Sequence, residues 1–355
     1  MKCVYHSAYQ VALPSGHPFP ISKYPLLKDL ILAEGLIADR DLLTPEPLGL
    51  DTAALVHTAE YLAKLDGPGL SVTEQRRLGL PWSEALWARS RLAAGGTLRA
   101  ARTALAEGMA ANLAGGTHHA FADHGEGFCV LNDVAVAIAA LRRDGHIARA
   151  VVIDLDVHQG NGTAAIFENV AEVCTFSMHG ARNYPSQKMH STLDVALADG
   201  VADDEYLEAL AAHLPHILER SQPDIAFYLA GVDVAAGDRY GKLALSDAGI
   251  GRREQYVIEA VRSRGVPLVI VLAGGYAATR ARTAGLHAHA IRAAVAYERR
   301  GLLCSVGNTG APVQVRQQPD RTDEQKLHIL EKRRPLALDG VTDELAEPRH
   351  DEHRR

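Results

Sequence analysis

The sequence predicts an α/β protein: one domain of three layers, helices over a mostly parallel central sheet over helices. Two observations predict it. Ala150-Val151-Val152-Ile153, residues 172–176, residues 225–229 and residues 268–272 are short, nearly continuous apolar runs, as expected of parallel strands buried on both faces. Between and around them, residues 131–143, 163–169, 203–220, 247–264 and 277–298 carry apolar positions at helical spacing, and a strand-helix alternation winds into a parallel sheet.

Earlier in the chain, residues 51–65 and 83–107 also read as helices, the second with Ser83 as its N-cap. No internal repeat is present. A catalytic domain is expected over residues 1–311, followed at 312–355 by a charged extension poor in large apolar residues and expected to be flexible. His350 and His353, within that extension, read as solvated.

Composition narrows the function. With 355 residues, 47% hydrophobic and 23% charged, the chain can build a sizeable core. A net charge of -6 argues against a nucleic-acid partner. The four cysteines, Cys3, Cys129, Cys174 and Cys304, form no Cys-x-x-Cys pair. No apolar run approaches the roughly 20 residues of a membrane helix, and the first residues lack a signal-peptide core. A cytoplasmic protein without a membrane partner is the expectation.

Polar residues gather at strand ends, where open α/β sheets build their sites. Five segments converge there: Gly115-Gly116-Thr117-His118-His119, Asp154-Leu155-Asp156-Val157-His158, Ser177-Met178-His179, Gly231-Val232-Asp233 and Gly274-Gly275-Tyr276. Asp156 and His158 are two apart, so an extended chain projects both to one face, and Asp233 from another strand end would complete a three-ligand set. Two carboxylates and an imidazole suit Zn(II) or Fe(II) with positions left for water and substrate. Two glycines let the chain turn before His118 and His119, whose imidazoles would accept and donate protons near neutral pH. Asp154 is placed to orient one of them, and Tyr276 to donate its hydroxyl to a developing oxyanion.

These residues resemble the histone deacetylase superfamily, with its zinc-dependent arginase/deacetylase fold. The likeness rests on Gly115 through Ala120 followed by Gly127-Phe128-Cys129-Val130-Leu131-Asn132-Asp133, on Asp154 through Gly162 (DLDVHQGNG), and on Ala230 through Asp238 (AGVDVAAGD). It is traceable from about Tyr5 to Ala296, taking in His17-Pro18-Phe19 and Val56-His57. Asn161 within Gly160-Asn161-Gly162, where most members have aspartate, makes the chain similar to class IV.

The resemblance implies zinc ligands Asp156, His158 and Asp233, a general base and acid pair in His118 and His119, and a transition-state donor in Tyr276. It implies that Asn161 orients His119, and that Gly127, Phe128, Tyr184, Gly274 and Gly275 contact the substrate. A structural potassium or sodium ion would draw on Asp154, Asp156, Ser177 and the carbonyls of His158 and Met178. The implied reaction removes an acyl group from an acyl-lysine peptide or protein, or a related acylated amine. Acetylpolyamines, long fatty-acyl amides and a metal-bound acyl-lysine reader without turnover stay open. The Ala273-Gly274-Gly275-Tyr276 turn departs from the family's triple glycine.

Other candidates receive plainer readings. His213 and His216 belong to a solvated helix face, Trp82 and Trp87 to packing, and His287 and His289 lack same-face spacing for coordination. The oligomeric state is not legible.

Overall fold

The computed structural model describes residues 1–306, so the extension at 312–355, with His350 and His353, lies outside the described residues. Eight strands form one sheet in the order β2-β1-β3-β8-β7-β4-β5-β6: β1 (Lys2–Val4), β2 (Leu42–Leu43), β3 (Met109–Asn112), β4 (Ala150–Asp154), β5 (Val173–Gly180), β6 (Leu193–Leu197), β7 (Ile225–Leu229) and β8 (Leu268–Val271). Every neighbouring pair is parallel, so the sheet is fully rather than mostly parallel.

The helices flanking it are α1 (Lys23–Ala33), α2 (Leu50–Ala53), α3 (Ala59–Asp66), α4 (Val72–Leu78), α5 (Glu84–Glu107), α6 (Asp133–Arg143), α7 (Asn161–Phe167), α8 (Asp203–Ser221), α9 (Asp247–Arg262) and α10 (Arg280–Val306). The strands read from continuous apolar runs, β4, β7 and β8, are buried at every position. Their core is continuous with that of the helices, from Leu27 and Ile31 of α1 to Ile291 of α10.

Two expectations need correction. The helix read over 51–65 is two helices, because Thr58 takes an extended conformation and its hydroxyl accepts from the Tyr61 N–H, starting α3 anew. Residues 177–179 do not follow a strand, since β5 runs on to Gly180. The segment 115–119 does follow one, but β3 is only Met-Ala-Ala-Asn and lacks the β-branched signature that marks a strand. Ser83 caps α5 as expected, accepting from Leu86 N–H at 3.1 Å.

The topology brings the functional segments together. β3, β8, β7, β4 and β5 are five consecutive strands of the sheet. Four of the five polar segments leave their carboxyl ends, and the fifth forms the last residues of β5.

Candidate active site

Asp156, His158 and Asp233 each offer a ligand atom, all within 4.8 Å of one another, and all three side chains are buried. The extended spacing expected for Asp156 and His158 is not what joins them: β4 stops at Asp154, and residues 156–158 bend. His158 Nδ1 thereby comes 2.9 Å from Asp156 Oδ1 and 3.3 Å from Asp233 Oδ2. The remaining carboxylate oxygens are held by backbone. Val157 N–H donates to Asp233 Oδ1 at 2.9 Å, and Gly274 N–H to Asp156 Oδ2 at 2.6 Å.

Asp233 Oδ2 is buried without a hydrogen-bond partner, and such an atom costs free energy unless something satisfies it. Burial and then the Asp156 carboxylate push Asp233 up to about 6, which marks two acids sharing a dry space suited to a cation. Gly274 must lack a side chain, because a Cβ there would collide with both carboxylates. The donor set and its orphaned oxygen fit a divalent cation.

Beside this centre the rings of His118 and His119 lie 4.1 Å apart. Each Nδ1 has one oxygen partner at 2.7 Å: Asp154 Oδ2 for His118 and Asn161 Oδ1 for His119. Burial draws His118 down, but Asp154 and Asp156 outweigh it and push the imidazole up to about 9. His119 has no such counterweight, and burial followed by repulsion from His118 and His158 holds it well below 6.5.

Tyr276, at the end of the turn after β8, lines the same inner cavity as the histidines. Its backbone N–H donates to Asp238 Oδ2 at 2.6 Å, and burial, then Asp233, raises its hydroxyl well above the usual range, keeping it a donor. An inner cavity of about 30 Å³ is reached from a mouth of about 470 Å³, and His119, Gly127, Phe128, His158 and Tyr276 line both. They form the neck between them. Phe128 takes φ 68°, a strained value for a residue with a side chain, and its N–H donates to Leu78 O at 2.7 Å.

Of the other expected contacts, Gly274 lines the inner cavity and Tyr184 the mouth, whereas Gly275 lines neither and faces the Val232 side chain. Asp154 and Ser177 are register partners on β4 and β5, but the Ser177 hydroxyl is engaged with His179 Nδ1 at 3.0 Å. His287 is buried with its Nε2 3.3 Å from Lys23 Nζ.

Residues 17–291 match the histone deacetylase domain. The chain belongs to the histone deacetylase family. It is accordingly a hydrolase acting on acetylated amides. An uncharacterized protein of Picosynechococcus is 45% identical, over 77% of this chain and 91% of that protein. Histone deacetylase 2 of Arabidopsis thaliana is 30% identical, over 79% and 76%. The crystal structure of the HDA15 HD domain superposes with a TM-score of 0.69 at 23% identity, covering 83% of this chain and 87% of that one, which supports the fold.

Several residues that build this histone deacetylase site carry no ligand-like signal in the sequence. Asp133 accepts from Gly116 N–H at 3.1 Å and Thr117 N–H at 2.8 Å, fixing the loop that presents the histidine pair. His57 Nε2 accepts from Asn132 N–H at 3.0 Å. Arg253, fully buried, donates through Nη1 to Leu155 O at 3.1 Å and Gly231 O at 2.8 Å, tying together the ends of β4 and β7 beside Asp156 and Asp233. Lys23, also buried, donates to Ala273 O at 2.7 Å. Glu126 accepts from Asn161 Nδ2 at 2.9 Å and from the Tyr184 hydroxyl. Only a strand-to-strand register, which the sequence does not state, would have placed these side chains at the site. Among the described residues no helix is long and apolar enough to cross a membrane.

Proposed function

We propose that the chain hydrolyses Nε-acetyl-lysine or a closely related acetylated amine, with Asp156, His158 and Asp233 holding zinc, or iron(II) in its place. What carries the reading is the convergence of these three donor groups with a histidine pair and Tyr276 at one cavity. A divalent cation held there supplies Lewis-acid polarisation of an amide carbonyl and lowers the pKa of water towards about 7. The residues do the rest.

The partners of the two histidines favour moving the base role from His118, where the resemblance puts it, to His119. His118, backed by the Asp154 carboxylate, holds positive charge; His119, backed by an amide, is the neutral imidazole able to take a proton from attacking water. His119 then returns that proton to the leaving amine, as the resemblance expects of it. Tyr276 donates its hydroxyl to the oxyanion. The neck through Gly127 and Phe128 threads a linear side chain between mouth and centre.

The inner cavity, at about 30 Å³, has room for water or a methyl group and not for a long hydrocarbon. That favours acetyl over the fatty acyl groups that the class IV likeness, carried by Asn161, left open. The same reading assigns a potassium or sodium ion to Asp154, Asp156 and Ser177 with the His158 and Met178 carbonyls, the catalytic domain to residues 1–311, and the protein to the cytoplasm. Turnover of acetyl-, octanoyl- and myristoyl-lysine peptides by the zinc-loaded chain tests the reading: acetyl should lead. Absence of turnover on all three, with metal bound, would favour a reader over an enzyme.

A further inference from the structure

The mouth through which a substrate must enter has a charge that the rest of the chain does not share. Arg77, Arg182 and Lys242 line it and no carboxylate does. The adjoining cleft, about 590 Å³ and also bounded by Tyr276, adds Arg239 and Arg280, again with no carboxylate. All five are exposed. They come from separate parts of the fold: the last turn of α4, the loop after β5, the loop between β7 and α9, and the start of α10. Cations therefore surround the entrance rather than forming one helix face.

Three acids stand close by, set back from the walls of both cavities. Asp199 pairs with Arg182 at 2.8 Å. Asp238 accepts from the N–H groups of Tyr276, Tyr240 and Gly241, and Glu126 from Asn161 and Tyr184. Arg77, Lys242, Arg239 and Arg280 make no ion pair among the described residues. A chain of net charge -6 repels anions as a whole, so five cations, four of them without an ion-pair partner among the described residues, against three set-back carboxylates at the catalytic entrance are a local reversal of sign, the arrangement that concentrates and orients an anionic partner.

We propose that the substrate carries negative charge beside the acylated amine: an acetyl-lysine flanked by aspartate or glutamate in a polypeptide. This rests on the deacetylase reading and narrows it. It sets aside cationic acetylpolyamines and lysine-rich tails, which the rim repels. A free acetyl-lysine offers a single carboxylate of the same kind, offset by its own α-ammonium group.

The test compares the zinc-loaded full chain on acetyl-lysine peptides flanked by glutamate or by lysine, together with free Nε-acetyl-lysine and an acetylated diamine. The expected result is kcat/KM about tenfold or more in favour of the glutamate peptide at low salt, shrinking as ionic strength rises because the Debye length contracts from about 10 Å at 0.1 M towards about 3 Å at 1 M. Free acetyl-lysine should fall between that peptide and the diamine. If it outruns the glutamate peptide, the polypeptide assignment is overturned.

The triple variant R77E/R182E/K242E should invert the peptide ratio, and R264E, a charge reversal beyond the far end of α9, should leave it as it was. A ratio of one or below, a ratio unmoved by the triple variant, or preference for the diamine overturns the proposal. Binding of the same peptides, labelled and followed by fluorescence anisotropy, scores the charge preference independently of turnover. A chain that binds the glutamate peptide selectively and hydrolyses nothing would thus refute the deacetylase reading and uphold this one, while equal turnover of both peptides does the reverse.

Discussion

The surroundings of His118 and His119 form a natural experiment within one molecule. The two residues are adjacent, their rings are 4.1 Å apart, and each Nδ1 meets an oxygen at 2.7 Å. The geometry is the same and the charge is not. A carboxylate behind His118 favours its imidazolium, whereas an amide behind His119 orients the ring and leaves it neutral. On the reading proposed above, a single change of oxygen partner divides one dyad into a fixed cation and a mobile proton carrier.

The largest test breaks the comparison directly. His119→Ala should lower kcat by about 10²- to 10⁴-fold, the usual range for a general acid-base group, and His118→Ala should cost less, because its loss removes a field rather than a proton path. Equal losses, measured on one neutral acetyl-lysine amide, would mean that the two imidazoles share the work. Tyr276→Phe follows, with an expected loss of about 10²- to 10³-fold in kcat and no change in the shape of the pH profile, since the hydroxyl stays protonated throughout. Full activity in that variant would remove Tyr276 from the reaction.

The pH dependence sharpens the comparison. If His119 must be neutral to accept a proton, kcat/KM rises with pH through its pKa, so the acid limb lies below 6.5. Asn161→Asp puts a carboxylate behind the ring, favours the imidazolium and should move that limb upward by about 1–3 units. Glu126 complicates the single variant, since its carboxylate lies 2.9 Å from Asn161 Nδ2 and would face a second carboxylate. The pair Asn161→Asp with Glu126→Gln removes that repulsion, and a limb unmoved there would count against the role given to the amide.

How much of this was readable without coordinates differs by residue. The segments Asp154 to His158, Gly231 to Asp233 and Gly274 to Tyr276 announce themselves because ligand-type side chains interrupt apolar runs at strand ends, and polar groups in such places need a reason. The buried strands behind them are equally legible. β1, β2 and β3 are not, because two to four residues, alanine-rich in β3, carry no periodicity. Arg253, Lys23, Asp133 and Glu126 were missed for a different cause. Each reaches the site through the register of distant segments, Arg253 across 98 positions to Leu155 and Lys23 across 250 to Ala273, and a sequence records neither. Gly275, named for the substrate, packs against Val232 because only one of two neighbouring residues in a tight turn can face the cavity.

The smallest expected effect asks whether the turn that positions Tyr276 is shaped by its own residues or by what grips it. Ala273 adopts φ 54°, where a Cβ is strained by about 1–2 kcal/mol. Its N–H donates to Gly115 O at 3.2 Å, linking the turn to the loop that presents His118 and His119, and its carbonyl accepts from Lys23. Ala273→Gly relieves the strain but frees the unfolded chain by about 0.4–1 kcal/mol, so a net gain in stability of no more than about 1.6 kcal/mol is expected in denaturant unfolding. Lys23→Met should cost more, because it leaves a carbonyl without its donor and places a thioether against His287. If the glycine variant instead lost as much stability as the methionine variant, the alanine methyl would be a packing element holding the turn against Gly116. The positions of both histidines would then depend on that contact rather than on the Lys23 clamp.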